Sequence, residues 1–183
     1  MTSTRDASRA PGARVLLDGV VLTDYGIFVI FWDWEGYAPD PDEVFDGQRN
    51  GIIGTGRSDC VYFFLAGEFG HSQVRVQVTA DEPPQPDVEW GDVVEVSVEI
   101  PNSAFLRWTT TQDLDGGELP EIPPGCYRVR LSELDRDVAN GRRGTPDAPA
   151  THALIELWPH ALEPDRIVRV TSVSARRMHD ARG

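Results

Sequence analysis

Three segments of this chain alternate apolar and polar residues with a period of two: 73–79 (QVRVQVT), 93–100 (VVEVSVEI) and 127–132 (YRVRLS). That period belongs to an extended strand with one buried and one solvated face. The third segment is the sharpest. Pro123 and Pro124 fix an extended approach, and Gly125 turns the chain. Tyr127, Val129 and Leu131 then alternate with Arg128, Arg130 and Ser132. The apolar set predicts the core side of the strand and the arginines its wet side.

The same reading extends along the chain. Strands are expected at 14–18 (RVLLD) and 20–31 (VVLTDYGIFVIF), with Gly19 as a break or bulge between them. Others follow at 60–66 (CVYFFLA), 105–109 (FLRWT), 152–158 (HALIELW) and 167–170 (IVRV). Proline and glycine clusters such as 81–87 (DEPPQPD) separate them. About nine short strands with regular turn signals predict an all-β fold, an antiparallel β-sandwich or jelly roll. A short C-terminal helical turn is expected over 172–179, with Ser172 as its N-cap. A second turn is permitted at 42–46, because Pro39 and Pro41 exclude a helix before it.

The expected core comprises Val74, Val76, Val78, Val94, Val96, Val98, Tyr127, Val129 and Leu131, joined by Leu154, Ile155, Leu157 and Trp158. Segment 152–158 alternates poorly, so its buried face stays open. A chain of 183 residues suits one two-layer domain. Its expected limits are a disordered polar tail at 1–13, a sandwich at 14–175 with a flexible loop at 138–151, and a tail at 176–183.

Charge narrows the function classes. The chain carries 30 acidic residues against 17 basic ones, a net −13, and every basic residue is arginine. The acidity is concentrated: between Phe31 and Tyr127 stand 19 acids and four arginines, a net −15. Such a field opposes nucleic acid and anionic membranes and favours a basic partner, or serves solubility alone. No apolar run reaches 18 residues, and the first 14 residues have no apolar centre, which predicts a cytoplasmic protein without a membrane span. Cys60 and Cys126 both sit in strand patterns and read as buried thiols, with a disulfide as the alternative.

Catalytic and metal signatures do not assemble. His71, His152, His160 and His179 stand apart, without HxH, HExxH or CxxC spacing. Residues 40–47 (DPDEVFDG) alternate carboxylates but lack the register of an EF-hand loop. Residues 51–56 (GIIGTG) lack the Lys-Ser/Thr of a phosphate loop, and a flexible connection is the plainer reading. Residues 54–60 (GTGRSDC) are not a G-x-S-x-G elbow. The expectation is therefore no catalytic residues, no metal and no cofactor. A hydrolase or carbohydrate-binding sandwich would need two facing carboxylates in a pocket.

An aromatic cluster remains: Phe28, Phe31, Trp32, Trp34, Tyr37 and Phe45, with Asp33 and Glu35 between the tryptophans. Aromatics beside carboxylates bind cations or sugars, or anchor a protein partner; the plainer reading is core and sheet-edge cover. Tyr25, Phe28 and Ile30, then Trp34, Tyr37 and Ala38, then Phe45, Val61 to Leu65, and finally Pro124, Gly125, Tyr127 and Val129 follow an order that resembles the competence protein ComJ family. The resemblance spans roughly residues 20–135 and leaves the stretch from about Asn140 outside it. It implies a small intracellular β-sandwich that inhibits a DNA-entry nuclease, with no catalytic residues to carry over.

Charge and resemblance converge on one expectation: a non-enzymatic acidic protein that blocks the basic surface of a partner such as a nuclease. The expected contacts are Asp40, Asp42, Glu43, Asp46, Asp81, Glu82, Asp87 and Glu89, with Trp34 and Tyr37 as apolar anchors. The alternative is an interaction or scaffold module that binds through the aromatic segment from Trp32 to Tyr37.

Overall fold

A computed structural model describes residues 12–33, 40–101, 106–111, 114–134 and 136–182. The chain is mostly β. In order it runs β1 (Arg14–Asp24), β2 (Ile27–Phe31), α1 (Pro41–Val44), β3 (Ile53–Gly54), β4 (Cys60–Phe64) and β5 (Phe69–Val78). There follow β6 (Asp92–Ile100), β7 (Arg107–Thr110), β8 (Gly116–Glu118), β9 (Gly125–Glu133) and α2 (Arg136–Ala139). The chain closes with β10 (His152–Pro159), β11 (Arg166–Arg169) and α3 (Val173–Asp180). Six strands form one sheet in the order β1-β5-β10-β9-β6-β11, and five form another in the order β3-β4-β2-β7-β8. The two sheets share one apolar cluster: Phe28, Ile30, Val61 and Phe63 from the smaller meet Val74, Val76, Val96, Val129 and Ile155 from the larger.

Several expectations need correction. Among the described residues eleven strands stand where about nine were expected, and the larger sheet is mixed, because β10 runs parallel to β5. Two strands so far apart in sequence need no hairpin, which frees their relative direction. The helical turn permitted at 42–46 forms as α1, one residue earlier because Pro41 takes a first-turn position, and α2 is a further helix before the C-terminus. Gly19 does not break the first strand, since β1 runs through it with its irregularity between Val15 and Leu17. The chain instead changes sheet at Tyr25 and Gly26, both with positive φ (56° and 67°). Gly26 is required there, because a Cβ would lie 2.4 Å from the Leu65 carbonyl oxygen.

The largest correction concerns the wet face of β9. Arg128, Arg130 and Ser132 are all buried. Alternation correctly assigns Tyr127, Val129 and Leu131 to the inter-sheet side. The other side is covered by the connections 81–90 and 160–165, whose carbonyls accept hydrogen bonds from the two guanidiniums. β10 is buried on both faces, which explains its poor alternation. The glycine-rich segment 51–56 is pinned too: buried Asn50 accepts from the amides of Ile52 and Ile53, and both isoleucines enter the core.

The C-terminal helix forms with Ser172 as N-cap, its side chain accepting from the Ala175 amide. Residues 176–180, expected as tail, continue α3. Its buried His179 accepts the Gly51 amide through Nδ1 at 3.0 Å, and Asp137 accepts the Val173 and Ser174 amides. Residues 138–151 contain the end of α2 and the bridges Gly70–Gly144 and Thr145–Ala148. Cys60 is buried, Cys126 is half-buried, and both are free thiols.

Candidate functional site

The expected acidic contacts fall into two groups. Asp40 caps α1 by accepting the Asp42 amide. Val44 and Phe45, just behind, are buried against Val29, Cys60 and Tyr62 on the outer face of the smaller sheet. Phe45 also stacks on Phe64 with 5.6 Å between centroids. This apolar anchor leaves Asp40, Asp42, Glu43 and Asp46 exposed. Asp42 takes an ion pair from Arg182 at 3.1 Å, and Glu43 a longer one from Arg57 at 3.5 Å.

Asp81, Glu82, Asp87 and Glu89 are exposed as well, but on a different side. Their connection lies over the outward residues of the larger sheet, where Arg130 donates to the Pro84 carbonyl at 3.0 Å. Arg169 fixes the far end through the carbonyls of Pro86, Asp87 and Trp90. α1 covers the outer face of one sheet and the 81–89 connection that of the other, so no single flat surface contains all eight acids. Trp34 and Tyr37 lie outside the described residues.

Beneath the 81–89 cover is a buried ionic cluster that pattern reading missed. Glu95 Oε1 accepts from Arg130 Nε at 2.8 Å, and Glu95 Oε2 from Arg128 Nε at 3.3 Å and Arg166 at 2.8 Å. Glu156 accepts from Gln77 at 3.0 Å and pairs with Arg130 at 3.5 Å, while the Arg130 guanidinium lies 4.9 Å from the Trp158 ring centroid. The available signal was cross-strand: Glu95 opposes Arg130 on β9, which opposes Glu156 on β10. Burial drives both carboxyls upward, but the Arg130 and Arg166 contacts outweigh it at Glu95, which is held below the usual range. At Glu156 burial wins over Gln77 and Arg130, and the carboxyl is raised.

Two carboxyls with opposite shifts are the arrangement a glycoside hydrolase uses. Here both are buried, and their oxygens are engaged by arginines and an amide. The arrangement ties the cover to the sheet, since Arg128 and Arg130 also donate to its carbonyls. Among the described residues no group of three or more His, Cys, Asp and Glu is placed to hold a metal ion. The smaller sheet carries a quieter site: burial, followed by the Asp59 charge, pushes the Cys60 thiol up to about 12 and leaves it unreactive.

A cleft of about 570 Å³ opens where the ends of the two sheets part. Trp32 and Asp33 follow β2, Arg57 and Asp59 precede β4, Glu99 is the last residue but one of β6, and Leu162 comes from the β10–β11 connection. Trp32 is fixed by its indole N–H, which donates to the Ser58 carbonyl at 2.9 Å. Arg57 forks onto Asp59, Nε at 2.9 Å and Nη2 at 2.5 Å. That pairing, more than the opposing burial, holds the Asp59 carboxyl below its usual range.

No protein-family model matches the chain, and no curated protein matches it. Two solved structures are similar in fold. ComJ from Bacillus subtilis, described as an inhibitor of the DNA-degrading activity of NucA, aligns with a TM-score of 0.56 and 8% identity, over 81% of this chain and 98% of its own. The product of crocagin biosynthetic gene J aligns with a TM-score of 0.51 and 18% identity, over 82% of this chain and 99% of its own. Residues 1–135 make up about 74% of the chain, so an 81% match must run beyond them. The expectation that the stretch after about residue 140 lies outside the likeness is thereby corrected in part. At these identities the likeness is one of fold.

Proposed function

We propose that this chain is a non-enzymatic acidic β-sandwich protein that covers a basic surface of a protein partner, such as the DNA-gripping surface of a nuclease. The observation that carries this reading is the fold likeness to ComJ, an inhibitor of a DNA-degrading activity, in a chain of net −13. The α1 face is the favoured contact, with Asp40, Asp42, Glu43 and Asp46. Its carboxylates are exposed and its backbone is anchored from behind by Val44 and Phe45. The 81–89 acids belong to a cover with a structural task, which makes them the less favoured half.

The test starts from affinity capture of the partner from the native host. DNA degradation by that partner is then measured with and without this chain over a range of salt. Inhibition that weakens steeply with salt, and weakens again in the triple variant D42N/E43Q/D46N, is expected. Salt-independent binding refutes the reading. The scaffold reading through Trp32 to Tyr37 has one observation in its favour, the position of Trp32 on the cleft wall. It predicts sensitivity to Trp34→Ala in place of salt.

A further inference from the structure

The cleft beside α1 carries an unbalanced charge. Asp33, Asp59 and Glu99 line it against a single arginine. Arg57 is already matched, by Asp59 in a two-pronged pair and by Glu43 on α1. The side chains of Asp33 and Glu99 are exposed and take no ion pair or hydrogen bond among the described residues. They stand at the ends of β2 and β6, strands of different sheets, so they approach the opening from its two walls. Between them Trp32 supplies an aromatic wall locked by its hydrogen bond to Ser58, and Leu162 supplies an exposed apolar lip.

The cleft adjoins α1. Gly56 lines it, and a Cβ at Gly56 would lie 2.1 Å from the Glu43 carbonyl oxygen. The cleft wall at Gly56 therefore packs directly against the α1 backbone, and Arg57 on the same wall pairs with Glu43.

We propose that this cleft receives an arginine side chain of the basic partner, which stacks against Trp32 and donates to Asp33 and Glu99. The inference rests on the basic-partner reading above and names where that partner inserts. A planar guanidinium meets all three demands at once: it is cationic, it donates in a fork to carboxylates, and it stacks on aromatic faces. The volume is ample for one long side chain with part of its backbone.

The probe is N-acetyl-argininamide, titrated into the full ¹⁵N-labelled chain, with N-acetyl-citrullinamide as the uncharged analogue of the same shape. Saturable shifts are expected at the amides of Gly56, Ser58 and Glu99 and at the Trp32 indole. They should be markedly smaller with citrulline and weaken about threefold or more in D33N/E99Q. Both substitutions are at exposed side chains without a partner among the described residues, and a circular-dichroism melt checks that the fold stays intact. Equal responses to arginine and citrulline, unchanged affinity in D33N/E99Q, or no shifts at the cleft each overturn the proposal. Shifts confined to α1 overturn it while leaving the basic-partner reading standing. Undiminished partner binding by D42N/E43Q/D46N removes the α1 contact, whatever the cleft does.

Discussion

Replacing Arg130 with methionine separates a solvated strand face from a buried ionic one. Methionine keeps most of the side-chain volume against Trp158 and removes the charge. Glu95 keeps Arg128 and Arg166, but Glu156 is left with Gln77 alone. A buried charge orphaned in this way costs about 3–5 kcal/mol. Protonation sets a ceiling: neutralising a carboxyl of ordinary pKa ~4.3 costs about 3.7 kcal/mol at pH 7 and only about 1 kcal/mol at pH 5. Loss of the Arg130–Trp158 contact adds about 1 kcal/mol at either pH. Glu156 is already raised by burial in the native chain, and losing Arg130 raises it further. A carboxyl raised in the folded state contributes stability that is present below its unfolded pKa and is lost as pH rises through the folded value. Urea unfolding should therefore show R130M less stable by about 4 kcal/mol at pH 7 and by about 2 kcal/mol at pH 5. Adding E156Q should recover much of the pH 7 loss. A loss below about 1 kcal/mol at pH 7, the ordinary result for a solvated arginine, refutes the buried cluster. A loss that does not change with pH refutes the role of Glu156.

Three further outcomes follow from the docking of α3 and the state of the thiols. His179 is held below its ordinary pKa by burial and then by the Arg136 charge, against the opposing pull of Asp92, Asp180 and Asp165. Its neutral ring accepts the Gly51 amide, so stability should fall as pH drops below about 6.5. H179N, which keeps an acceptor without the titration, should flatten that part of a melting-temperature profile. In Gly51→Ala the new Cβ would lie 2.1 Å from the Met178 carbonyl oxygen. Hydrogen exchange should then show lost protection across α3, with a destabilisation of about 2 kcal/mol or more. An aromatic disulfide reagent should modify Cys126 in the native chain and reach Cys60 only after unfolding, so C126S should abolish the native reaction.

The periodic signal reported what a local signal can report. Along β9 it separated Tyr127, Val129 and Leu131 from Arg128 and Arg130, and the two sets do face opposite ways. Whether the second face is wet depends on what crosses it, and the crossing segments come from 81–90 and 160–165, far along the chain. Composition made 81–87 read as a polar connection, which it is, yet its carbonyls are what Arg130 needs. Non-local partners also hid the lock around Asn50: its side chain orders the next three residues, and Asp165 accepts both its backbone and its side-chain N–H groups. Tyr25 and Gly26 read as strand interior because both flanks are apolar, whereas both have positive φ and Gly26 is held across the turn by the Glu68 carbonyl and the Leu65 amide. The acidic residues of the candidate site were legible as exposed charges. Their division between two faces was not, since it follows from which sheet each connection covers.

That division constrains how charge can act. At 0.15 M salt the Debye length is about 8 Å, while two packed sheets alone are separated by about 10 Å. A partner seated on the α1 face is then largely screened from Asp81, Glu82, Asp87 and Glu89. At physiological salt D42N/E43Q/D46N should speed dissociation of the captured partner, and D81N/E82Q/D87N/E89Q should leave it nearly unchanged. Near 0.01 M salt the Debye length grows to about 30 Å, and the far-face variant should begin to slow association through the weakened overall field. Both variants give up ion pairs, Glu82 with Arg130 at 3.6 Å in one and Asp42 with Arg182 and Glu43 with Arg57 in the other. Each should lose a few tenths of a kcal/mol in urea unfolding, so the dissociation rate is what separates them. Equal effects of the two variants on dissociation at 0.15 M would mean that the partner wraps both faces, and the single-face contact would fall.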